Sequence, residues 1–584
     1  MSAFSGLRAA RQTKESKSYV KSNNESQQVT TTPVLLQPST EGQESLQLEA
    51  VPESTVHVLP SGLEVRRSSA SGRGLWAKAL YKPGDIVLAA KPHIAALSNQ
   101  YLDSYCSNCF GPAPESGLKR CTTCRTVWYC NSTCQTKDWA QHKRECVALQ
   151  EWSKSAPSAE LSIPSDAVRC LGRMLWKMQK QKIDSNWTME INALQSHRSS
   201  LQSSSYELHT HLSHALVRYL GLTSPQELAD FGLNSAGDLV DVISRFVANT
   251  FTITTPTLTP IGASISPVIA LINHSCDPNA VVVFPRSSDQ EPLMQVIALR
   301  PIATSEEILT SYIDTTLPKP LRQASLQETY NFFCQCALCR SSLDADPREA
   351  VWCPKSCGGT CPLPTEDDDF SRCTKCKAVV KTTDAIQDAV RVGQEALDKA
   401  TALQFKEPVK AQQLTTNLIP ILTSAGLTPS SHPLLALARL HQTLLISTLP
   451  VPLTQDALDE AVRATTRSST GLASVLTYGH PVRGIALAEL GKILAVDEPQ
   501  PRQATSPAEA TLIYPPSGPA RLKLAYDTLV RATDELRVGF GVRNDGGQVG
   551  KEVRESAVAL EKEIGVWKQG VRNVVEDTPR QVPK

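Results

Sequence analysis

Eight cysteine and histidine side chains fall between residues 106 and 146, at the spacing of metal ligands. Cys106 and Cys109 form one C-x2-C pair, and Cys121 and Cys124 form another. Cys130 and Cys134 follow at C-x3-C, and His142 with Cys146 closes the run at H-x3-C. Thiolates and imidazole suit Zn2+, which takes four such ligands in a tetrahedral structural site. Eight ligands make two closed sites with no open position for chemistry at the metal. The expected role is structural, because a stretch this short lacks a core and folds on its metal.

Three further segments could do other chemistry. Ser71-Gly72-Arg73-Gly74-Leu75-Trp76-Ala77 sets two glycines around an arginine, which permits close backbone approach to a ligand and equally a plain tight turn. Leu271-Ile272-Asn273-His274-Ser275-Cys276-Asp277-Pro278-Asn279 offers an amide beside an imidazole before the chain turns. Ser305-Glu306-Glu307-Ile308-Leu309-Thr310-Ser311-Tyr312 ends a strand-like run on a tyrosine, which taken singly reads as core. Beyond it lies Tyr330-Asn331-Phe332-Phe333-Cys334-Gln335-Cys336-Ala337-Leu338-Cys339, whose three cysteines are one ligand short of a zinc shell. Cys353, Cys357, Cys361, Cys373 and Cys376 make a second run; four of the five could close a ribbon-like zinc site, or all could remain reduced thiols. Cys170 stands alone on a helical face and is expected in the core.

These groups need elements to position them. Residues 1–55 are rich in Ser, Thr, Gln and Glu and too poor in apolar surface to offset ordering entropy, so disorder is expected there. Val56–Val58, Gly62–Val65 and Ile86–Leu88 read as strands, and Lys137–Gln150 as a helix. Ser165 can cap a helix through Val168, Leu171, Leu175 and Met178, and helical stretches continue to about Phe251. Strand patterns return at Val281–Val283, Met294–Leu299 and Ile308–Ile313. From about Thr383 the pattern is helical, with faces at Ile386, Ala389, Val390, Gly393 and Leu397, and at Leu522, Ala525, Leu529, Ala532 and Leu536. Pro-rich breaks suggest paired helices of the solenoid kind, an irregular bundle being the alternative.

The finger's ligand order, with Trp128-Tyr129 before Cys130 and Trp139 ahead of His142, resembles the MYND finger. The segments around Gly72–Ala77, Asn273–Asn279 and Cys334–Cys339, in that order, resemble the SET domain, and with the finger inserted the SET-and-MYND (SMYD) family. The resemblance implies an α+β fold: a split β-rich SET domain with inserted finger and helical insert, a post-SET zinc site, and an all-helical, TPR-like C-terminal domain. Its units would be 56–105 (first SET part), 106–146 (finger), 147–245 (helical insert), 246–313 (second SET part), 314–345 (post-SET), 346–380 (Cys-rich linker) and 381–584 (helical domain). It further implies that Cys106, Cys109, Cys130 and Cys134 hold one zinc and Cys121, Cys124, His142 and Cys146 the other. Cys276 would complete a third site with Cys334, Cys336 and Cys339, and a fourth zinc is possible in the linker.

By the same resemblance the chain would be a protein lysine N-methyltransferase using S-adenosylmethionine. Gly72, Arg73, Gly74, His197, Asn249, Asn273, His274, Tyr330 and Phe332 would line the cofactor and lysine channel, with Tyr312 at the reaction centre. The implied reaction is displacement of the sulfonium methyl by a neutral lysine amine, which needs positioning and desolvation rather than a nucleophilic side chain. Ser305 departs from the family's glycine, a substitution that strains the turn if φ is positive there. The competing expectation is a non-catalytic zinc-stabilised adaptor with a degenerate pocket.

With 59 basic and 58 acidic residues, the chain gives no global electrostatic case for a nucleic-acid or membrane partner. No apolar run approaches the ~20 residues of a membrane span. The finger's excess of basic side chains leaves DNA as a minor possibility, and MYND fingers elsewhere take proline-rich peptides. The expected state is a monomer in the cytoplasm or nucleus, acting on a protein with a target lysine, histone or otherwise.

Overall fold

A computed structural model describes residues 51–53, 55–69, 71–181, 185–200, 203–287, 291–341, 345–364, 371–501 and 514–577. The disorder expected for 1–55 lies, up to residue 50, outside the described residues. From Val51 it is corrected. Strand β1 (Val51–Pro52) pairs antiparallel with β2 (Leu63–Ser68), Val51 opposite Arg67, and Glu53 forms a two-pronged contact with Arg67 at 3.0 Å on each prong. The expected strand at Val56–Val58 is absent, and Val58 is exposed. A backbone partner at 65–67 decides the pairing, which local β-propensity cannot.

β2 continues into β3 (Gly72–Ala77), then come β4 (Ile86–Ala90) and β5 (Ile94–Leu97). Two short strands, β6 (Lys119–Arg120) and β7 (Trp128–Tyr129), pair within the finger. After the helical insert the sheets are completed by β8 (Thr250–Thr254), β9 (Pro260–Ile265), β10 (Asn273–His274), β11 (Ala280–Val283), β12 (Met294–Ala298) and β13 (Leu309–Thr310). β5 pairs with β9, and β4 with β12, so the strands before and after the insertions share their sheets. At Gly262 the β5–β9 approach leaves no room for a side chain: a Cβ would lie 2.3 Å from the Ala96 carbonyl oxygen. β10 and β13 run parallel, with Asn273 opposite Leu309 and His274 opposite Thr310. Sequence periodicity carries Tyr312 at the end of a strand; the strand stops at Thr310, and Tyr312 sits in the turn beyond it.

The finger runs into a helix, Ser132–Lys154, whose first turn is capped by Asn131 accepting from the Cys134 N–H at 2.9 Å. The helix Asp166–Gln181 begins, as expected, with Ser165 accepting from Val168 N–H, and buries Val168, Cys170, Leu171 and Leu175. Arg173 on that helix is almost fully buried. It pairs with Asp138 (3.5 Å) and Glu145 (2.5 Å) of the finger's helix and donates to the Ala95 carbonyl (3.1 Å). A capping box at Ser235 and Asp238 opens the helix Ala236–Asn249, which ends directly in β8.

Among the described residues, seven α-helices run from Thr383 onward: Thr383–Leu403, Pro408–Ser424, His432–Ser447, Gln455–Val475, Pro481–Leu494, Pro519–Gly539 and Gly547–Asp577. Each packs chiefly on the next in sequence, the neighbour-on-neighbour order of a solenoid. The last of them return to the sheet of β4, β11 and β12. Val283 and Ile297 share a buried cluster with Leu529, Leu536 and Phe540, Val542 N–H donates to the Gly84 carbonyl (2.9 Å), and Asn544 donates to Gln295 (2.6 Å). No helix among the described residues is long and apolar enough to cross a membrane.

Candidate active site

Glycine at 72 and at 74 is required for different reasons. Gly72 has φ +71°, a left-handed conformation costly to side-chain-bearing residues, with open space where a Cβ would be. At Gly74 a Cβ would fall 2.3 Å from a Glu307 carboxylate oxygen and 2.9 Å from the Asn273 amide nitrogen. That crowding is the centre of a junction. The Asn273 amide donates to the Arg73 carbonyl (3.1 Å) and to Glu307 (2.7 Å), tying β3, β10 and the segment before β13 together. Burial raises the Glu307 pKa, while the Asn273 amide pulls the other way.

From this junction the contacts close a ring. The Arg73 guanidinium donates to the Ala193 carbonyl, on the loop that carries Leu194–His197. The Asn249 amide donates to Gln195 on the same loop (2.9 Å) and to Arg245 (2.8 Å). The helix ending at Asn249 packs on the helix Lys319–Tyr330, which delivers Tyr330. Asn331 then turns the chain with φ 56°, which Asn tolerates better than most residues, and Phe332 follows. Tyr330 lies 4.9 Å from Tyr312, and Tyr312 lies 5.3 Å from His274, between ring centroids; His274 is 6.0 Å from Phe332. His274 follows Asn273 and completes the circuit. Residues from six distant segments therefore meet. His197 is half-buried on the same loop, with its imidazole pKa lowered by burial, but the ring's described hydrogen bonds run through its neighbours.

Tyr312 is held at both ends. Its hydroxyl donates to the Ile272 carbonyl (2.6 Å), and its backbone N–H donates to His274 Nδ1 (3.0 Å). His274 Nε2 lies 3.3 Å from Cys276 Sγ, so both ring nitrogens are engaged inside the protein. A ligand contact from this residue would use its backbone. Burial keeps both phenols protonated at neutral pH, raising Tyr312 and pushing Tyr330 up to about 12. Asn279, fully buried, donates to the Glu307 carbonyl (2.8 Å) and accepts from Leu309 N–H (2.7 Å). Glu307, the Ile272 carbonyl and Asn279 were not singled out as site residues from sequence. Each sat inside a recognised motif, but only the pairing of β10 with β13 reveals what it holds.

Three donor sets have chemistry that fits zinc, and the third adjoins this ring through Cys276 beside His274. Cys106, Cys109, Cys130 and Cys134 form one, Cys121, Cys124, His142 and Cys146 the second, and Cys276, Cys334, Cys336 and Cys339 the third; within each, the ligand atoms lie within 4.8 Å of one another. His142 presents Nε2 toward Cys124, while Nδ1 meets Glu145 at 3.2 Å, a carboxylate–histidine pairing that orients the ligand nitrogen. Beside the third set, Arg322 is fully buried and two of its nitrogens find no oxygen partner. Its charge interacts with Cys276 and Cys339, where it offsets thiolate charge. Zinc bound there would fix Cys276, and through it the tilted ring contact of His274 with Tyr312.

Residues 106–146 match the MYND finger family. The chain is 33% identical over 297 residues to the N-lysine methyltransferase SMYD2 of Gallus gallus, covering 50% of this chain and 61% of that protein. It is 30% identical over 288 residues to SMYD2 of Homo sapiens (48% and 60%) and 32% identical over 275 residues to the histone-lysine N-methyltransferase ASHR1 of Arabidopsis thaliana (46% and 53%). The chain thus covers between about half and three-fifths of the length of these relatives. Finger, split sheets and sequence similarity together make this chain similar to the SMYD2 and ASHR1 methyltransferases over about half of its length.

Proposed function

We propose that this protein is a protein lysine N-methyltransferase that uses S-adenosylmethionine. The observation that carries the reading is the aromatic group Tyr312, Tyr330, Phe332 and His274 closed against the Gly72–Gly74 turn by Asn273. The relatives named as lysine methyltransferases support it. The open backbone at Gly72, the backbone of Asn273–His274 and the Leu194–His197 loop with Asn249 suit a polar nucleoside and amino-acid ligand. The aromatic faces suit its cationic centre. When bound, S-adenosylmethionine supplies an activated methyl group.

The chain's own part is positional. Aromatic walls strip water from the incoming lysine, which lowers its pKa toward the neutral amine. Tyr312 remains a protonated donor, so its role is to shape and orient rather than to remove a proton. Positioning alone can contribute ~7–11 kcal/mol to barrier lowering. The substrate is a protein, and the MYND finger is read as a docking point for a proline-rich segment of a partner. Calorimetry of the full chain with S-adenosylmethionine, paired with methyl transfer to a lysine peptide array, tests the reading. Heat of binding with transfer to specific lysines is expected; absence of both overturns it.

A further inference from the structure

Between the third zinc set and the first C-terminal helix lies a small ribbon, Ala350–Trp352 paired antiparallel with Thr360–Pro362. We propose that Cys353, Cys357, Cys373 and Cys376 bind a fourth, structural Zn2+ in this ribbon, and that the metal clamps the helical domain to the chain just beyond Tyr312.

Four observations carry this. First, the four Sγ atoms lie within 4.8 Å of one another, with Cys353 to Cys376 at 3.4 Å and Cys357 to Cys373 at 3.5 Å. A zinc tetrahedron with arms of ~2.3 Å has edges near ~3.8 Å, whereas a disulfide needs ~2.05 Å. Second, the turn at Cys373-x2-Cys376 repeats the turns of both finger pairs. In each, the residue after the second cysteine is left-handed (Phe110 φ 58°, Arg125 φ 54°, Lys377 φ 57°), and its N–H donates to the carbonyl of the first cysteine (2.9, 3.0 and 3.0 Å). Third, backbone N–H groups aim at the sulfurs: Lys355 at Cys353, and Lys375 and Cys376 at Cys373, all at 3.4–3.5 Å. Such donors favour thiolate over thiol. Fourth, Gly359 fits against the cluster, where a Cβ would meet Cys373 Sγ at 2.8 Å. The fifth cysteine, Cys361, is fully buried in the ribbon's apolar core and outside the set.

The ribbon is a seam. Trp352 N–H donates to the Gly426 carbonyl (2.8 Å), and Thr428 N–H to the Ala350 carbonyl (3.2 Å), joining it to the loop between two helices. At its entry, buried Arg348 donates to the Thr315 carbonyl (2.6 Å), three residues beyond Tyr312, and to the Val475 carbonyl (3.0 Å). A ribbon of this size has little core of its own, so the metal would supply its stability.

Zinc per full-length chain, measured by elemental analysis and native mass spectrometry, tests the proposal. Four zinc ions are expected in the unaltered protein, three in Cys357→Ser/Cys373→Ser, and four in Cys361→Ser. Hydrogen exchange in the double variant should quicken in 346–380 and 408–447 while the finger stays protected. Three zinc ions in the unaltered protein overturn the proposal, without requiring any variant to fold. So does an unreduced mass showing Cys353–Cys376 or Cys357–Cys373 disulfides.

Discussion

The finger's eight ligands all fall within residues 106–146, whereas the ring around Tyr312 draws on Gly72–Gly74, Ala193–Gln195, Asn249, Asn273–His274 and Tyr330–Phe332. The finger needs metal and little else, because its ligands close short loops at small entropic cost. The ring has no local nucleus. It depends on parallel pairing of β10 with β13 and on side chains that donate to backbone carbonyls far away in sequence. Metal-built structure should therefore survive changes that dismantle the ring, and the converse should also hold.

The most damaging single change should be Arg173→Ala, at the joint between the finger's helix and β5. It leaves Asp138 and Glu145 buried without their counter-charge, at a cost of about 3–5 kcal/mol in chemical denaturation. Both finger zinc ions should stay bound, since no ligand is touched; loss of zinc in proportion to stability would show that finger and core are one folding unit. Gly74→Ala comes next. Its methyl group collides with Glu307 and Asn273, so a destabilisation of about 1–3 kcal/mol is expected together with loss of S-adenosylmethionine binding, again with zinc content unchanged.

Tyr312→Phe removes the donor to the Ile272 carbonyl while keeping the ring contact with His274. Methyl transfer should fall about tenfold, the equivalent of one net hydrogen bond of about 1.4 kcal/mol, with cofactor affinity nearly unchanged. An unaltered rate would remove the hydroxyl from the reaction. The smallest effect is a gain. Ser305 has φ 64°, in the left-handed region, so Ser305→Gly should stabilise the chain by up to about 1 kcal/mol in thermal unfolding. The gain is trimmed by loss of the Arg66 contact to the Ser305 hydroxyl at 3.1 Å. A destabilised variant would mean that this contact outweighs the backbone strain.

The same contrast governs what could be read from residue order. The Ser165 cap, the Asp166–Gln181 helix with its buried Cys170, and the strands at Ile86–Ala90, Ala280–Val283 and Met294–Ala298 follow from local patterns. Val56–Val58 misled because a β-rich triplet has no strand without a partner; the edge of β2 away from β3 is taken by Val51–Pro52, inside a stretch whose composition reads as disorder. The positive φ at Ser305 was foreseeable only as a condition, since it depends on a turn whose geometry the neighbouring strands impose.

Residue types and spacing alone determined the finger's ligand set and its zinc chemistry, because ligand spacing is a local property; Tyr312 and Asn273 stood out only through the resemblance of their segments to the SET domain. Only the tertiary structure decided that Asn273 braces the Gly72–Gly74 turn against Glu307, that His274 spends both ring nitrogens inside the protein, and that Cys361 is left out of the ribbon's cysteine cluster. Those outcomes rest on which distant backbones lie within hydrogen-bond or thiolate reach, a distance that no spacing along the chain encodes.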